Sequence, residues 1–256
     1  MISIGIDAGS RTAKVVILDR NTREVLASGL RDQGVDQEAV AKDLLYATLE
    51  RVGLADKEIY KTVATGYGRN LVQFADRYVT EITCQARGVA HQNPDTRMIV
   101  EIGGQDSKII RLGETGRIHD FMMNDRCAAG TGRFLEMVAV RLNTQLDSLD
   151  GLAAQSQSAA SVSSMCVVFA ETEIVGLLAA TCPPSDIVSG VFRAVAQRVT
   201  AMAGNHTEGP VTFTGGVALF EGMRQSLINE LGHPVDTATN PQYTGALGAA
   251  LIAAEE

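Results

Sequence analysis

One stretch of this chain occurs twice. Ile4-Gly-Ile-Asp-Ala-Gly-Ser-Arg-Thr-Ala-Lys14-Val-Val reads as strand, tight turn, strand. So does Met98-Ile-Val-Glu-Ile-Gly-Gly-Gln-Asp-Ser-Lys108-Ile-Ile. With Ile4 laid on Met98, Asp7 falls on Glu101, Gly9 on Gly103, Lys14 on Lys108, and Val15-Val16 on Ile109-Ile110. Each copy runs on through a polar turn to a third strand candidate, Val25–Leu30 and Ile118–Met123. A second pair of apolar runs, Val63-Ala-Thr-Gly and Val211-Thr-Phe-Thr-Gly, each ends in Thr-Gly. Self-similarity on this scale argues for a duplicated domain. The expectation is two hairpin-rich halves, each offering Gly turns to a phosphate chain held between them.

Helical periodicity fills the gaps. Gln37–Val52 places Ala39, Val40, Leu44, Leu45, Thr48 and Leu49 near helical spacing. Thr131–Leu142 carries Phe134, Leu135, Val138 and Leu142 on one side, and Ser185–Ala203 is long and amphipathic. Phe220–Leu231 stops at Gly232 with Pro234 following, a C-cap pattern. Thr244–Ala254 is Ala-rich, with Gly245 and Gly248 allowing close packing. Strands alternating with helices predict an α/β fold. The turn-type run Asn93-Pro94-Asp95 predicts a boundary, with halves 1–93 and 94–256 and the last helix returning to the first half.

Composition narrows the function class. Apolar residues make up 45% of the 256, enough for a substantial core, and glycine supplies 25. The net charge of −8 and the lack of a Lys/Arg cluster argue against a nucleic-acid partner. The start, Met1-Ile-Ser-Ile-Gly-Ile6, has no signal-peptide pattern, and no segment is apolar for long enough to span a membrane. The expectation is a cytoplasmic protein without membrane contact. Cys84, Cys127, Cys166 and Cys182 are then expected as free thiols, none in a C-x-x-C pair.

The chemistry sits in the turns. After Asp7, the residues Gly9, Ser10, Arg11 and Thr12 bring small backbone units and hydroxyls to a phosphate, and Lys14 adds a point charge. Asp7 is expected to hold Mg²⁺, directly or through water. The second turn offers Gly103, Gly104, Gln105 and Asp106, and Gln105 or Asp106 could orient an attacking water. The bland reading is a pair of ordinary hairpin turns; the matched second copy weighs against it. Neither a P-loop nor a Rossmann glycine motif is present.

Two cysteines stand in unusual contexts. Cys127 lies in Asn124-Asp-Arg-Cys-Ala-Ala-Gly-Thr-Gly132, and Cys166 in Ser163-Ser-Met-Cys-Val-Val-Phe-Ala-Glu171, each leading into a helical pattern. A helix N-terminus with free N–H groups favours a thiolate, and Ala128, Ala129 and Gly130 leave room beside the sulfur. Two thiolates make half of a four-thiolate site, which two copies on a two-fold axis would complete. The competing reading is that both are small buried hydrophobes, and for Cys84 and Cys182 that reading is preferred. The spacing fits no common zinc module.

Taken in order along the chain, Asp7–Lys14, Thr65-Gly-Tyr-Gly-Arg69, Gly103–Asp106, Cys127–Gly132, Cys166–Glu171 and Thr214-Gly-Gly-Val-Ala218 resemble the ATPase activators of 2-hydroxyacyl-CoA dehydratases and the related ATPase subunits of benzoyl-CoA reductases (the BadF/BadG/BcrA/BcrD type). That resemblance implies duplicated ribonuclease H-like domains of the actin/sugar-kinase/Hsp70 ATPase fold. It implies a homodimer bridged by one [4Fe–4S] cluster on Cys127 and Cys166. Asp7, Gly9, Ser10, Thr12, Gly103, Gly104 and Gln105 match the phosphate turns, and Gly215 and Gly216 the adenosine-side turn. The implied activity is ATP hydrolysis to ADP with Mg²⁺, driving one low-potential electron from ferredoxin or flavodoxin to a dehydratase-type or benzoyl-CoA reductase-type partner. Where the family usually has Asp, this chain has Glu101, which puts that residue's catalytic share in metal or water positioning in question. Two other classes stay open from sequence: a small-molecule kinase of the same fold with Asp106 as base, and a nucleotide-dependent scaffold.

Overall fold

The structure is a computed structural model that describes residues 1–162, 166–204 and 209–255. Ser163, Ser164 and Met165, quoted above as the approach to Cys166, lie outside the described residues. Two compact units emerge. One comprises Met1–Thr96, Leu112–His119 and Ala238–Glu256, the other Arg97–Arg111 and Asp120–Thr237. Of the last segment, Glu256 is not described.

The first unit is built on a five-stranded sheet. Its strands are β1 (Ile2–Ala8), β2 (Thr12–Asp19), β3 (Val25–Asp32), β4 (Ile59–Thr65) and β5 (Arg77–Tyr78), in the order β3-β2-β1-β4-β5. β1–β2 and β2–β3 pair antiparallel; β1–β4 and β4–β5 pair parallel. Alternate side chains of a strand face opposite ways. Ala13, Val15 and Ile17 of β2 therefore join α1 (Gln37–Arg51), packing with Ala41, Leu44, Leu45 and Leu49. Val16 and Leu18 pack on the other face against the last helix of the chain, Thr244–Glu255, through Ala246, Leu247, Ala250 and Leu251. With both faces covered, β1 is buried along nearly its whole length. Asp36 caps α1 by accepting from the Ala39 N–H at 3.0 Å. Ala39 itself is exposed, so the buried stripe of α1 is narrower than the spacing predicts. The helix α2 (Glu81–Gln92), capped by Thr80, packs against the terminal helix at near-backbone distance. A Cβ on Gly248 would stand 1.8 Å from the Cys84 carbonyl oxygen, and one on Gly5 of β1 1.9 Å from that of Ala246. Those contacts explain the small residues read in that helix.

The second unit repeats the sheet. β6 (Met98–Ile102), β7 (Ser107–Leu112), β8 (Ile118–Asn124), β9 (Val211–Thr214) and β10 (Val235–Thr237) run in the order β10-β9-β6-β7-β8. Read from the other edge, this is the first sheet's order. β6–β7 pair antiparallel, and β6–β9 and β9–β10 parallel. The core is made with α3 (Gly132–Arg141), α4 (Leu149–Ala153), α5 (Val167–Ala179), α6 (Pro184–Ala203) and α7 (Glu221–Leu231) around Phe134, Phe192 and Phe213. Gly232 ends α7 at φ 63°, the left-handed cap its sequence called for. The helix Thr244–Glu255 is α8. No helix among the described residues is long and apolar enough to cross a membrane.

A loop leading toward Cys166 is tied to α6 by one carboxylate. Asp186 Oδ1 accepts from Ser156 Oγ at 2.8 Å and from the N–H groups of Gln157 and Ser158 at 3.0 and 3.2 Å. The Ser156 hydroxyl and those two N–H groups hold the Asp186 carboxyl below its ordinary value of 3.8. A depressed folded pKa means that the stabilisation is full above the unfolded value and fades as pH falls through the folded one. Asp186→Asn is expected to lower Tm at neutral pH, and the gap to the wild type should close below pH 3.8. A gap independent of pH in a thermal-shift series would refute this.

Candidate functional site

Each unit presents the same turn. In the first, Asp7 of β1 stands opposite Lys14 of β2 and beside Thr65 of β4 in register. Lys14 Nζ lies 3.2 Å from Asp7 Oδ2. Gly66 follows Thr65 at φ 92°, and a Cβ there would fall 2.4 Å from Asp7 Oδ1. The first turn of α8 backs the same carboxylate, with room for a Cβ on Gly245 only at 3.5 Å from Asp7 Oδ2. Gly9 is pressed between the Thr12 carbonyl and Lys14 Nζ; an added Cβ would lie 2.9 and 3.1 Å from them. Ser10 and Thr12 are half-buried, and Arg11 is exposed.

Gln33, just beyond β3, was not singled out from sequence. Its Nε2 donates to the Gly9 carbonyl at 3.0 Å, and its own N–H donates to the Arg11 carbonyl at 2.8 Å. In a trans peptide the C=O of Gly9 and the N–H of Ser10 point opposite ways. Pinning that carbonyl directs the Ser10 N–H away from Gln33. No local pattern announces this contact, because the partners are far apart in the chain.

In the second unit, Glu101 of β6 stands opposite Lys108 and beside Thr214, matching Asp7, Lys14 and Thr65 pair for pair. Lys108 Nζ lies 2.7 Å from Glu101 Oε2 and 2.6 Å from Asp106 Oδ2. The Gly103 N–H donates to the Asp106 carbonyl at 2.9 Å and closes the turn. Gly215 follows Thr214 at φ 92°, as Gly66 follows Thr65. Gly216 opens a short 3-10 turn, Gly216–Leu219. Gln105 is exposed at the crest.

The two cysteines differ in setting. Cys166 is the N-cap residue of α5, as the sequence argument required. Cys127 instead precedes a 3-10 turn, Ala128–Gly130, and α3 starts only at Gly132. The leading N–H groups of α3 are not free for a thiolate. Gly132 N–H donates to the Gly103 carbonyl and Arg133 N–H to the Gly104 carbonyl, each at 2.9 Å. The helix is thus bolted to the Gly103–Asp106 turn, and its first N–H groups do not reach Cys127. Asn124 holds Cys127 in its place: its Nδ2 donates to the Cys127 carbonyl at 2.8 Å, and its Oδ1 accepts from the Cys127 N–H at 3.2 Å. The contact spans three residues, one more than an Asx turn. Both sulfurs belong to half-buried residues, with Ala128, Ala129 and Gly130 beside Cys127. Cys84 is buried, and that burial pushes its thiol up to about 12, which makes it inert. Among the described residues no cluster of three or more His, Cys, Asp or Glu is placed to hold a metal.

A family model for the BadF/BadG/BcrA/BcrD ATPase family matches residues 4–253. The chain belongs to that family. It is 43% identical to the activator of lactoyl-CoA dehydratase from Anaerotignum propionicum, over 100% of this chain and 98% of the relative. The solved activator of the 2-hydroxyisocaproyl-CoA dehydratase from Clostridium difficile, with bound ADPNP, superposes with a TM-score of 0.94. It is 38% identical, covering 100% of this chain and 95% of that one. A ROK family glucokinase from Streptomyces griseus shares the fold alone, at TM-score 0.60 and 16% identity over 100% of both chains. Family membership makes this chain an ATPase of the actin/sugar-kinase-type α/β fold.

Proposed function

We propose that this ATPase is the activator of a 2-hydroxyacyl-CoA dehydratase-type enzyme, to which it delivers one low-potential electron from a [4Fe–4S] cluster shared by two copies of the chain. The observation that carries the reading is the pair of hydrogen bonds from Gly132 and Arg133 to Gly103 and Gly104. They join the turn proposed to meet the γ-phosphate to the segment that begins at Cys127. The named activity of the relatives supports the same reading.

In this reading Asp7 holds Mg²⁺, Gly9, Ser10, Arg11, Thr12 and Lys14 bind phosphate, and Gly103 and Gly104 do so in the second turn. Gly215 and Gly216 take the adenosine side. Gln105 and Asp106 orient the attacking water, and Glu101 is drawn to Lys108 and shares in that work through it. The donor set fits the cluster as half of a four-thiolate site, Cys127 and Cys166 from each copy. A bound cluster supplies one-electron redox chemistry. The surface for a second copy is apolar: Val140 of α3 and Val168, Phe169 and Val175 of α5 are exposed, on helices that pack together and are linked by Arg141 and Glu171. The electron donor is a ferredoxin or flavodoxin.

Loss of the γ-phosphate changes what the Gly103–Asp106 turn holds, and Gly132 and Arg133 carry the change into α3. The cluster's potential is therefore expected to differ between protein loaded with ADP and with a non-hydrolysable ATP analogue. A shift of 100 mV in a one-electron potential corresponds to about 2.3 kcal/mol, which sets the scale of the coupling. Spectroelectrochemistry on anaerobically purified dimer reads it directly. Equal potentials with the two nucleotides would refute the coupling.

A further inference from the structure

Among the described residues the buried charged side chains are Glu101 and Lys108, and they touch. Neutralising one ammonium takes one carboxylate, and the equivalent pair in the first unit, Lys14 and Asp7, has no more than that. Lys108 has a second carboxylate, Asp106, at 2.6 Å. In the repeat, Thr12 stands where Asp106 does, so this contact belongs to the second turn alone. The rest of the geometry keeps the ammonium in place. Glu101 Oε1 is wedged under both glycine turns, 2.9 Å from where a Cβ on Gly215 would be and 3.1 Å from one on Gly103. Its other oxygen is held by Lys108 at 2.7 Å. Asp106 is caught likewise: Oδ2 on the ammonium, Oδ1 lying 2.7 Å from the Cβ position of Gly103, and its carbonyl on the Gly103 N–H. Its side chain is only 24% exposed.

We propose that Lys108 is a positioning residue for ATP hydrolysis: anchored by Glu101, it fixes the direction of the Asp106 carboxylate. The inference rests on the assignment of Asp106 to the attacking water. A carboxylate held at one oxygen presents the other in a single orientation, which is the condition for an aligned water. Nucleotide binding through the glycine backbone does not need that orientation, so the effect falls on turnover.

Lys108→Arg, Lys108→Met, Asp106→Asn and the double variant Lys108→Met/Asp106→Asn are compared in the full-length protein. The readouts are kcat and KM for ATP, the affinity for a non-hydrolysable analogue, and Tm. Lys108→Arg keeps the charge but widens the donor group. It is expected to lower kcat about tenfold or more, with KM and analogue affinity within about threefold. Removing Lys108 in the Asp106→Asn background should cost less than about threefold further, because two residues that act as a unit are not additive. The comparison of the double variant with Asp106→Asn stands even where Lys108→Met alone does not fold. Undiminished kcat in Lys108→Arg overturns the proposal, as does a further tenfold loss in the Asp106→Asn background. Full kcat in Asp106→Asn, with Lys108→Arg impaired, would remove Asp106 from the water-positioning role itself. A wild-type chain that binds but does not hydrolyse ATP would instead fail the function proposed above.

Discussion

Cys127→Ser and Cys166→Ser are each expected to take the protein from about two irons per chain to nearly none, while ATP is still hydrolysed. Two thiolates per chain leave a four-iron cluster half-ligated, so a second copy must supply the rest, and losing one thiolate from each copy removes two of four ligands. The loss should be local. Cys127 is held by backbone bonds to Asn124, which Ser leaves intact, and Cys166 caps α5, where Ser is a better cap than Cys. The turns after Asp7 and Glu101 keep their own hydrogen bonds. Cys182→Ser serves as the control and should retain its iron; that residue stands apart, next to Pro183, where its sulfur meets the Pro183 carbonyl. The measurement is iron and acid-labile sulfide on protein purified without oxygen, with the visible spectrum. Iron retained in either variant would remove that cysteine from the ligand set. A colourless wild type that hydrolyses ATP would reduce both cysteines to packing.

Gly215→Ala is expected to destabilise the protein strongly. Two costs combine. At φ 92° a side chain sits in strained backbone, worth about 1–3 kcal/mol. The new methyl would also stand 2.3 Å from the Ile102 carbonyl oxygen and 2.9 Å from Glu101 Oε1. Overpacking against backbone costs about another 1–3 kcal/mol. At about 2–4 °C per kcal/mol, Tm should fall by roughly 5–20 °C. Because Gly215 is itself proposed to take the adenosine side, nucleotide affinity should fall with it. Thermal unfolding with and without ADP tests both parts. A Tm within about 2 °C of the wild type would show that the strand end relaxes freely.

Much of this was legible beforehand, for a physical reason. Strand–turn–strand units repeat because a sheet needs period-two alternation, and that alternation is written locally. Laying Asp7 on Glu101 therefore foretold the register that the structure shows, down to the paired lysines. Gly232 and the glycines of α8 act through neighbours a few residues away or through plain lack of a side chain. Family membership followed from motifs whose order spans the chain.

What the sequence by itself determined is thus the duplicated α/β fold and the matched strand–turn–strand unit in each half. Only the tertiary structure decided how they are joined. The chain's order did not disclose that Gln33 pins the Gly9 carbonyl, that the first N–H groups of α3 go to Gly103 and Gly104 rather than to Cys127, or that Lys108 clasps two carboxylates. Each is a hydrogen bond or ion pair whose partners are set by the packing of separate elements. Such a bond leaves no periodicity along the chain, because its geometry exists only after the sheets and helices are in place.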